Sequence, residues 1–277
     1  MSHHSRPPVA LTIAGSDPSG GAGIQADLKT FTALGAFGTT VITALTAQST
    51  RGVTGVHPIP VDFVHQQLET LTDDVRIDAV KIGMLASAEL VRAIGEWLAK
   101  PPLNQVPIVL DPVMVATAGS SLLESDAVAA LREILPLASL ITPNLPEAGV
   151  LLNTPPATSL PEMHQQADAL RELGTRVLLK GGHLDGPEAV DLLADEEGVR
   201  EVSAPRVRTQ NTHGTGCTLS SAIAALSPQR AGWFEAVRDA KAWLTEALGH
   251  ADALEIGHGS GPVDHMHAMK PPAPRVD

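Results

Sequence analysis

The sequence is short of several things, and each shortage removes a class of function. It has one cysteine, Cys217, so no disulfide framework can form within the chain, and such usage fits a reducing compartment. Tyrosine is absent and aromatics make up 3% of the residues, too few for a platform on which single-stranded nucleic acid stacks. Positive charge is scarce: 19 Lys+Arg against 31 Asp+Glu give a formal charge of −12. That balance argues against a general nucleic-acid or anionic-membrane binder. No stretch approaches the about 20 apolar residues of a membrane span, and polar Met1 to Pro8 lacks the apolar centre of a signal peptide. A cytoplasmic protein is expected. The 11 histidines show no zinc spacing, and His258, His265 and His267 read as mostly surface residues.

What is present is enough apolar residue (43%) for a sizeable core, distributed in a regular alternation. Short apolar runs predict parallel strands at Val9–Ala14, Thr39–Ala44, Ala79–Ile82, Pro107–Leu110, Leu140–Thr142 and Val177–Lys180. Between them lie helical patterns: Ile24–Leu34 closed by Gly35, Asp62–Leu71, Ala88–Ala99 capped by Ser87, and Asp126–Leu135 capped by Ser125. A capping box, Ser159-x-x-Glu162, opens a further helix after a Pro/Thr-rich loop. Runs near Ala189–Leu193 and Val199–Ser203 suit an antiparallel edge hairpin, and Trp233–Leu254 reads as a closing helix. The pattern predicts an α/β fold: a central, mostly parallel sheet with helices on both faces. Residues 9–268 read as one domain, between a flexible segment 1–8 and a tail 269–277.

In such sheets ligands sit beyond the carboxyl ends of the strands, and the polar residues collect there. Asp17, Gln48, Met84, Asp111, Asn144 with Glu147, and Lys180 follow the first six strands in turn. Asp111, Glu147 and Asn144 offer hard oxygens for Mg²⁺, although Asn144 and Glu147 also suit a helix cap. Lys180, followed by Gly181-Gly182, offers a cation to a phosphate. Asp27, read as lying in the first turn of a helix, could hold a hydroxyl or ring amine, or simply complement the helix dipole. Gln48 carries both a donor and an acceptor, which suits a heteroaromatic edge. The first glycine-rich loop lacks Gly-Lys-Ser/Thr and does not meet the GxGxxG spacing, so it is neither a Walker loop nor a dinucleotide turn.

The stretch with most chemistry is Asn211-Thr212-His213-Gly214-Thr215-Gly216-Cys217-Thr218, which leads into small, helix-compatible residues. It predicts backbone N–H groups delivered to a helix start, where an anion is attracted. Cys217 stands at that start, where a thiol pKa is expected to fall, making its sulfur a base beside a bound phosphate. A glycine-rich helix start with a buried cysteine is the plainer alternative.

Taken together the chain resembles the hydroxymethylpyrimidine/phosphomethylpyrimidine kinases of the ribokinase-like superfamily. The resemblance rests on Ala14 to Thr30, Lys81 to Met84, Thr142 to Ala148, Lys180 to His183, Asn211 to Thr218 and Gly257 to Val263. It implies a three-layer ribokinase-like fold and an ATP- and Mg²⁺-dependent kinase of thiamine synthesis. The implied reaction phosphorylates 4-amino-5-hydroxymethyl-2-methylpyrimidine, then its monophosphate. Carried over by motif, Gly15, Ala22, Asp27, Gln48 and Met84 line the pyrimidine pocket. Gly214, Thr215, Gly216 and Cys217 form the catalytic anion hole. Asn144, Lys180 and His213 serve ATP, and Asp111 and Glu147 the metal. The family also implies a homodimer. Thr117 departs from the pattern, standing where many members carry lysine in the loop Val115 to Gly119. Two rivals remain: a pyridoxal (vitamin B6) kinase with the same machinery, and a non-catalytic ligand-binding protein on this fold.

Overall fold

The computed structural model describes residues 6–114 and 125–269. The elements in chain order are β1 (Val9–Ala14), α1 (Gly23–Ala33), β2 (Phe37–Ile42), β3 (Ala44–Ser49), β4 (Gly52–Pro58), α2 (Val61–Asp74) and β5 (Ala79–Ile82). Then follow α3 (Ala88–Leu98), β6 (Ile108–Leu110), α4 (Ser125–Ile134), β7 (Leu140–Ile141), α5 (Leu145–Leu152), α6 (Leu160–Arg171) and β8 (Arg176–Lys180). The chain closes with β9 (Glu188–Asp195), β10 (Gly198–Pro205), α7 (Thr215–Leu226) and α8 (Trp233–Gly249).

One sheet has the order β10-β9-β8-β7-β6-β5-β1-β2, parallel from β2 through to β8 and antiparallel at the β8–β9 and β9–β10 pairings. Because successive strand residues point to opposite faces, each short apolar strand feeds two cores. Leu11, Ile13, Ile108, Leu110, Val177 and Leu179 pack under α2 to α6. Ala10, Val109 and Leu178 pack under α1, α7 and α8. The strands are apolar throughout because both faces are covered.

The structure departs from the sequence reading in several places. The second strand ends at Ile42, and the chain continues into a separate two-stranded sheet, β3 with β4, that the sequence did not announce. Its residues are mostly exposed, so no core imprints an apolar alternation on them. The Ser159 box does not form: the Glu162 carboxylate accepts instead from the N–H (2.8 Å) and hydroxyl (2.9 Å) of Thr158. The closing helix stops at Gly249, short of Leu254. His265 is 4% exposed, its ring against Trp243 and its Nε2 3.0 Å from the Thr218 hydroxyl, so it is not a surface residue. Within the expected flexible start, Arg6 pairs with Asp78 and Pro8 accepts the Phe37 N–H. The expectation for Thr117 lies outside the described residues, as does the tail beyond Met269.

Candidate active site

Helix α7 points its N-terminus at the carboxyl ends of β1, β5 and β6. Gly214 caps it in the left-handed region, at φ +75°, and a Cβ there would lie 1.8 Å from the Gly21 carbonyl oxygen. Only glycine lets the two loops meet. Thr215 turns both its N–H (3.2 Å) and its hydroxyl (2.6 Å) back to the Thr212 carbonyl, and the Thr218 N–H goes to Gly214 (2.8 Å). The N–H groups of Gly216 and Cys217 head the helix with no intrahelical acceptor. Of the stretch 214–217, the Thr215 N–H is turned back to Thr212.

Beside this helix start lies a charged cluster. A Cβ on Gly216 would come within 3.3 Å of Lys180 Nζ and 3.5 Å of Asp111 Oδ2. Lys180 binds Asp111 Oδ1 at 2.9 Å, and the Thr142 hydroxyl donates to the same oxygen at 2.9 Å. Burial opposes the Lys180 charge, but Asp111 and Glu147 outweigh it and raise its pKa. Asn144 and Glu147 form a reciprocal cap: Asn144 Oδ1 accepts the Glu147 N–H at 2.9 Å, and Glu147 Oε2 accepts the Asn144 N–H at 2.8 Å. Capping and function coincide here: the Asn144 NH₂ group stays outside the cap, while the Glu147 carboxylate accepts the Met114 N–H as well as the Asn144 N–H. Burial raises the Glu147 pKa to about 7, with Lys180 opposing and the nearby Asp111 adding to the rise. Two buried carboxylates crowded together in this way fit a divalent cation that would relieve both. Among the described residues no cluster of three or more His, Cys, Asp or Glu could hold a metal unaided. Mg²⁺ suits that shortage, because it is commonly held by one or two carboxylates plus substrate phosphates and water.

The other wall is the first loop. Gly15 and Met84 lie close together, and a Cβ on Gly15 would meet Met84 Cε at 2.6 Å. Ala22 donates its N–H to Asp17 Oδ2 at 2.8 Å. Gln48 reaches this wall from β3 of the separate hairpin, not from the end of β2.

Three expected roles change. Asp27 sits beyond the first turn of α1 and is 0% exposed. Its oxygens accept from Lys81 Nζ (3.0 and 2.9 Å), the Thr12 hydroxyl (2.6 Å) and the Ser221 hydroxyl (2.6 Å). In this structure its carboxylate is held in a buried ion pair with Lys81 and by two hydroxyls. His213, expected on the ATP side, points into the first loop, with Nε2 2.8 Å from Asp17 and 3.3 Å from the Gln48 amide. Cys217, expected to have a lowered pKa, has a raised one. Burial is the main cause; Lys81 and the Gly23 N–H pull it down, but Asp27 and Asp111 add to the rise. The helix start does not outweigh loss of water next to two carboxylates.

Sequence reasoning missed Lys81, whose signal was a lysine inside a four-residue buried strand. It also missed the buried pair Lys241–Asp191 (2.6 Å), in which Asp191 also accepts the Gly181 N–H at 3.0 Å and fixes the turn after Lys180.

Residues 17–264 match the family model described as phosphomethylpyrimidine kinase. The chain belongs to that family. It is 56% identical over 261 residues to the hydroxymethylpyrimidine/phosphomethylpyrimidine kinase of Escherichia coli, covering 94% of this chain and 97% of that protein. It is 52% identical to a thiamine biosynthesis multifunctional protein of Corynebacterium efficiens over 94% of this chain and 35% of that protein. Among solved structures, an ADP complex of Bacillus subtilis pyridoxal kinase superposes with TM-score 0.86 at 36% identity, covering 95% of this chain and 98% of the other. The fold is thus ribokinase-like and the family member is a phosphotransferase of thiamine biosynthesis. No helix among the described residues is long and apolar enough to cross a membrane.

Proposed function

We propose that this kinase transfers the γ-phosphoryl group of ATP to the hydroxymethyl of 4-amino-5-hydroxymethyl-2-methylpyrimidine, and then a second phosphoryl group to the monophosphate. The observation that carries the reading is the convergence of Gly216 on Lys180 and Asp111 at the head of α7, facing the first-loop pocket. Phosphoryl transfer asks a protein mostly for positioning and charge neutralisation. The Gly216 and Cys217 N–H groups hold oxygens of the transferred group, each such donor contributing about 3 kcal/mol. Lys180 neutralises phosphate charge, and the Asn144 NH₂ group donates to it. Gly15, Ala22, Met84 and Gln48 orient the ring, and Cys217 takes the hydroxyl proton. Bound at Asp111 and Glu147, Mg²⁺ would draw charge from the phosphates. The enzyme acts in the cytoplasm, in keeping with its single cysteine, and as a homodimer. Leu45, Val56 and Phe63, exposed on and beside the small sheet, suit contact with a second copy, which sedimentation reads directly.

Phosphorus NMR of products from the pyrimidine alcohol and Mg-ATP is expected to show first a monophosphate, then a diphosphate. Turnover of pyridoxal far faster than of the pyrimidine overturns the substrate, favouring the reading that the Bacillus neighbour suggests. Because Glu147 keeps its proton until about pH 7, the Mg²⁺ requirement should rise as pH falls below that point. One competing proton gives roughly a tenfold weaker metal response per pH unit well below it. Magnesium titrations at pH 6 and pH 8 that coincide would remove Glu147 from the metal site.

A further inference from the structure

His213 joins three elements that are remote in sequence, and the hydrogen-bond roles around it can be worked out. Asp17 is 1% exposed and anchors the first loop. Its Oδ1 accepts from the Ser19 N–H (2.9 Å) and hydroxyl (2.7 Å), and its Oδ2 from the Ala22 N–H (2.8 Å). Against burial, which raises its pKa, His213, Ser19 and the Ala22 N–H hold it down at about 2, so it is a carboxylate at neutral pH. A carboxylate only accepts, so His213 Nε2, 2.8 Å from Oδ2, must carry its proton.

That assignment fixes a second group. The Gln48 amide lies 3.3 Å from the same Nε2. An amide NH₂ cannot donate to a ring N–H, so the atom facing His213 is the Gln48 oxygen. The NH₂ end then faces Thr46 Oγ1, 3.4 Å away. The Thr46 hydroxyl spends its own proton on the Ser16 carbonyl at 2.9 Å, so its oxygen is free to accept. In this orientation the single Nε2 proton lies between Asp17 at 2.8 Å and the Gln48 oxygen at 3.3 Å, and the Gln48 NH₂ faces an accepting Thr46 oxygen. The ring packs closely on Gly21, where a Cβ would lie 2.4 Å from His213 Cδ2, and the His213 N–H is tied to the Gly261 carbonyl at 3.1 Å.

We propose that Asp17 and His213 are specificity-determining positioning residues, which lock the Gln48 amide in one orientation so that it reads an aminopyrimidine and not a pyridine. This rests on the reading of Gln48 as a ring-binding residue. A locked amide offers an acceptor and a donor in fixed order. The edge of a 4-aminopyrimidine, an amino group beside a ring nitrogen, is the complement of that pair, as adenine is to glutamine. The corresponding edge of pyridoxal carries an aldehyde and a hydroxyl on ring carbons. A freely turning amide could adapt to those oxygens; a locked one cannot.

The test is Asp17→Asn, which keeps the size and a loop acceptor but no longer dictates which ring nitrogen of His213 is protonated. Specificity constants are measured for the pyrimidine alcohol and for pyridoxal. The expected result is at least a tenfold fall in the pyrimidine-to-pyridoxal ratio, with the ATP KM within twofold of wild type. A ratio within threefold of wild type overturns the proposal, and so does a rise in the ATP KM alone, which would return His213 to the nucleotide. Nitrogen NMR of the wild-type imidazole tests the lock without a variant: an Nδ1–H tautomer overturns it even if Asp17→Asn does not fold. If the wild type uses pyridoxal and ignores the pyrimidine, the substrate reading fails, while the tautomer measurement still decides the lock.

Discussion

Replacing Cys217 by alanine is expected to lower kcat by roughly 10²–10⁴, the span for loss of a positioned base. Cys217→Ser keeps the shape but greatly raises the side-chain pKa, so it should behave like alanine. Cys217→Asp should retain part of the activity, since a carboxylate at that place can still accept the hydroxyl proton. The Gly216 and Cys217 N–H groups survive all three changes, so the ATP KM should barely move. The raised thiol pKa adds a second signature. If the thiolate is the base, kcat should climb with pH through the neutral range, by up to roughly tenfold per unit below the thiol pKa. Aspartate at 217 should flatten that climb. Thiol reagents should inactivate and substrate should protect. If the sulfur only fills space, alanine and serine stay within about tenfold of wild type, a difference of ~1.4 kcal/mol. An alanine variant near wild type would sink the base assignment.

The second large effect is on stability. Lys81 and Asp27 are both 0% exposed, paired at 2.9 Å beneath α7. Lys81→Met leaves the Asp27 carboxylate buried without its cation, which should cost about 3–5 kcal/mol. The double variant Asp27→Asn/Lys81→Met removes both charges and keeps the volume, so most of the loss should return. Burial disfavours charge on Lys81, yet Asp27 first, then Cys217 and Asp111, raise its pKa above the ordinary lysine value. For a base raised on folding, the contribution is complete below the ordinary lysine pKa and is lost as pH rises through the folded one. The loss from Lys81→Met should therefore be constant between pH 6 and pH 9. Urea unfolding of the wild type, Lys81→Met, Asp27→Asn and the double variant at pH 7 reads the coupling. A double variant no more stable than Lys81→Met would show that the pair is not a unit.

Much of the site was legible before any coordinates. Asp111, Glu147 and Lys180 follow strands whose apolar runs are unmistakable, and parallel sheets bring strand ends together whatever the loops do. Asn144 and Glu147 lie three residues apart, and their cap forms as local geometry dictates. Gln48 was misplaced because its strand alternates exposed with only partly buried residues after Ala44 and pairs with the nearly all exposed β4, so no apolar run marks either strand. Asp27 and His213 were given the wrong neighbours for another reason: their partners are distant, Lys81 being 54 residues from Asp27 and Asp17 196 from His213.

By itself, the sequence determined the alternation of strands and helices, the rim of polar residues at the strand ends and the glycine-led start of α7. These follow from local rules: side-chain periodicity, glycine's access to positive φ, and unpaired N–H groups at a helix start. Tertiary structure alone decided which charges neutralise one another, which way the Gln48 amide faces and whether Cys217 keeps its proton. Those outcomes are set by water exclusion and by Coulomb contacts over a few ångströms, and both depend on which remote segments the fold presses together.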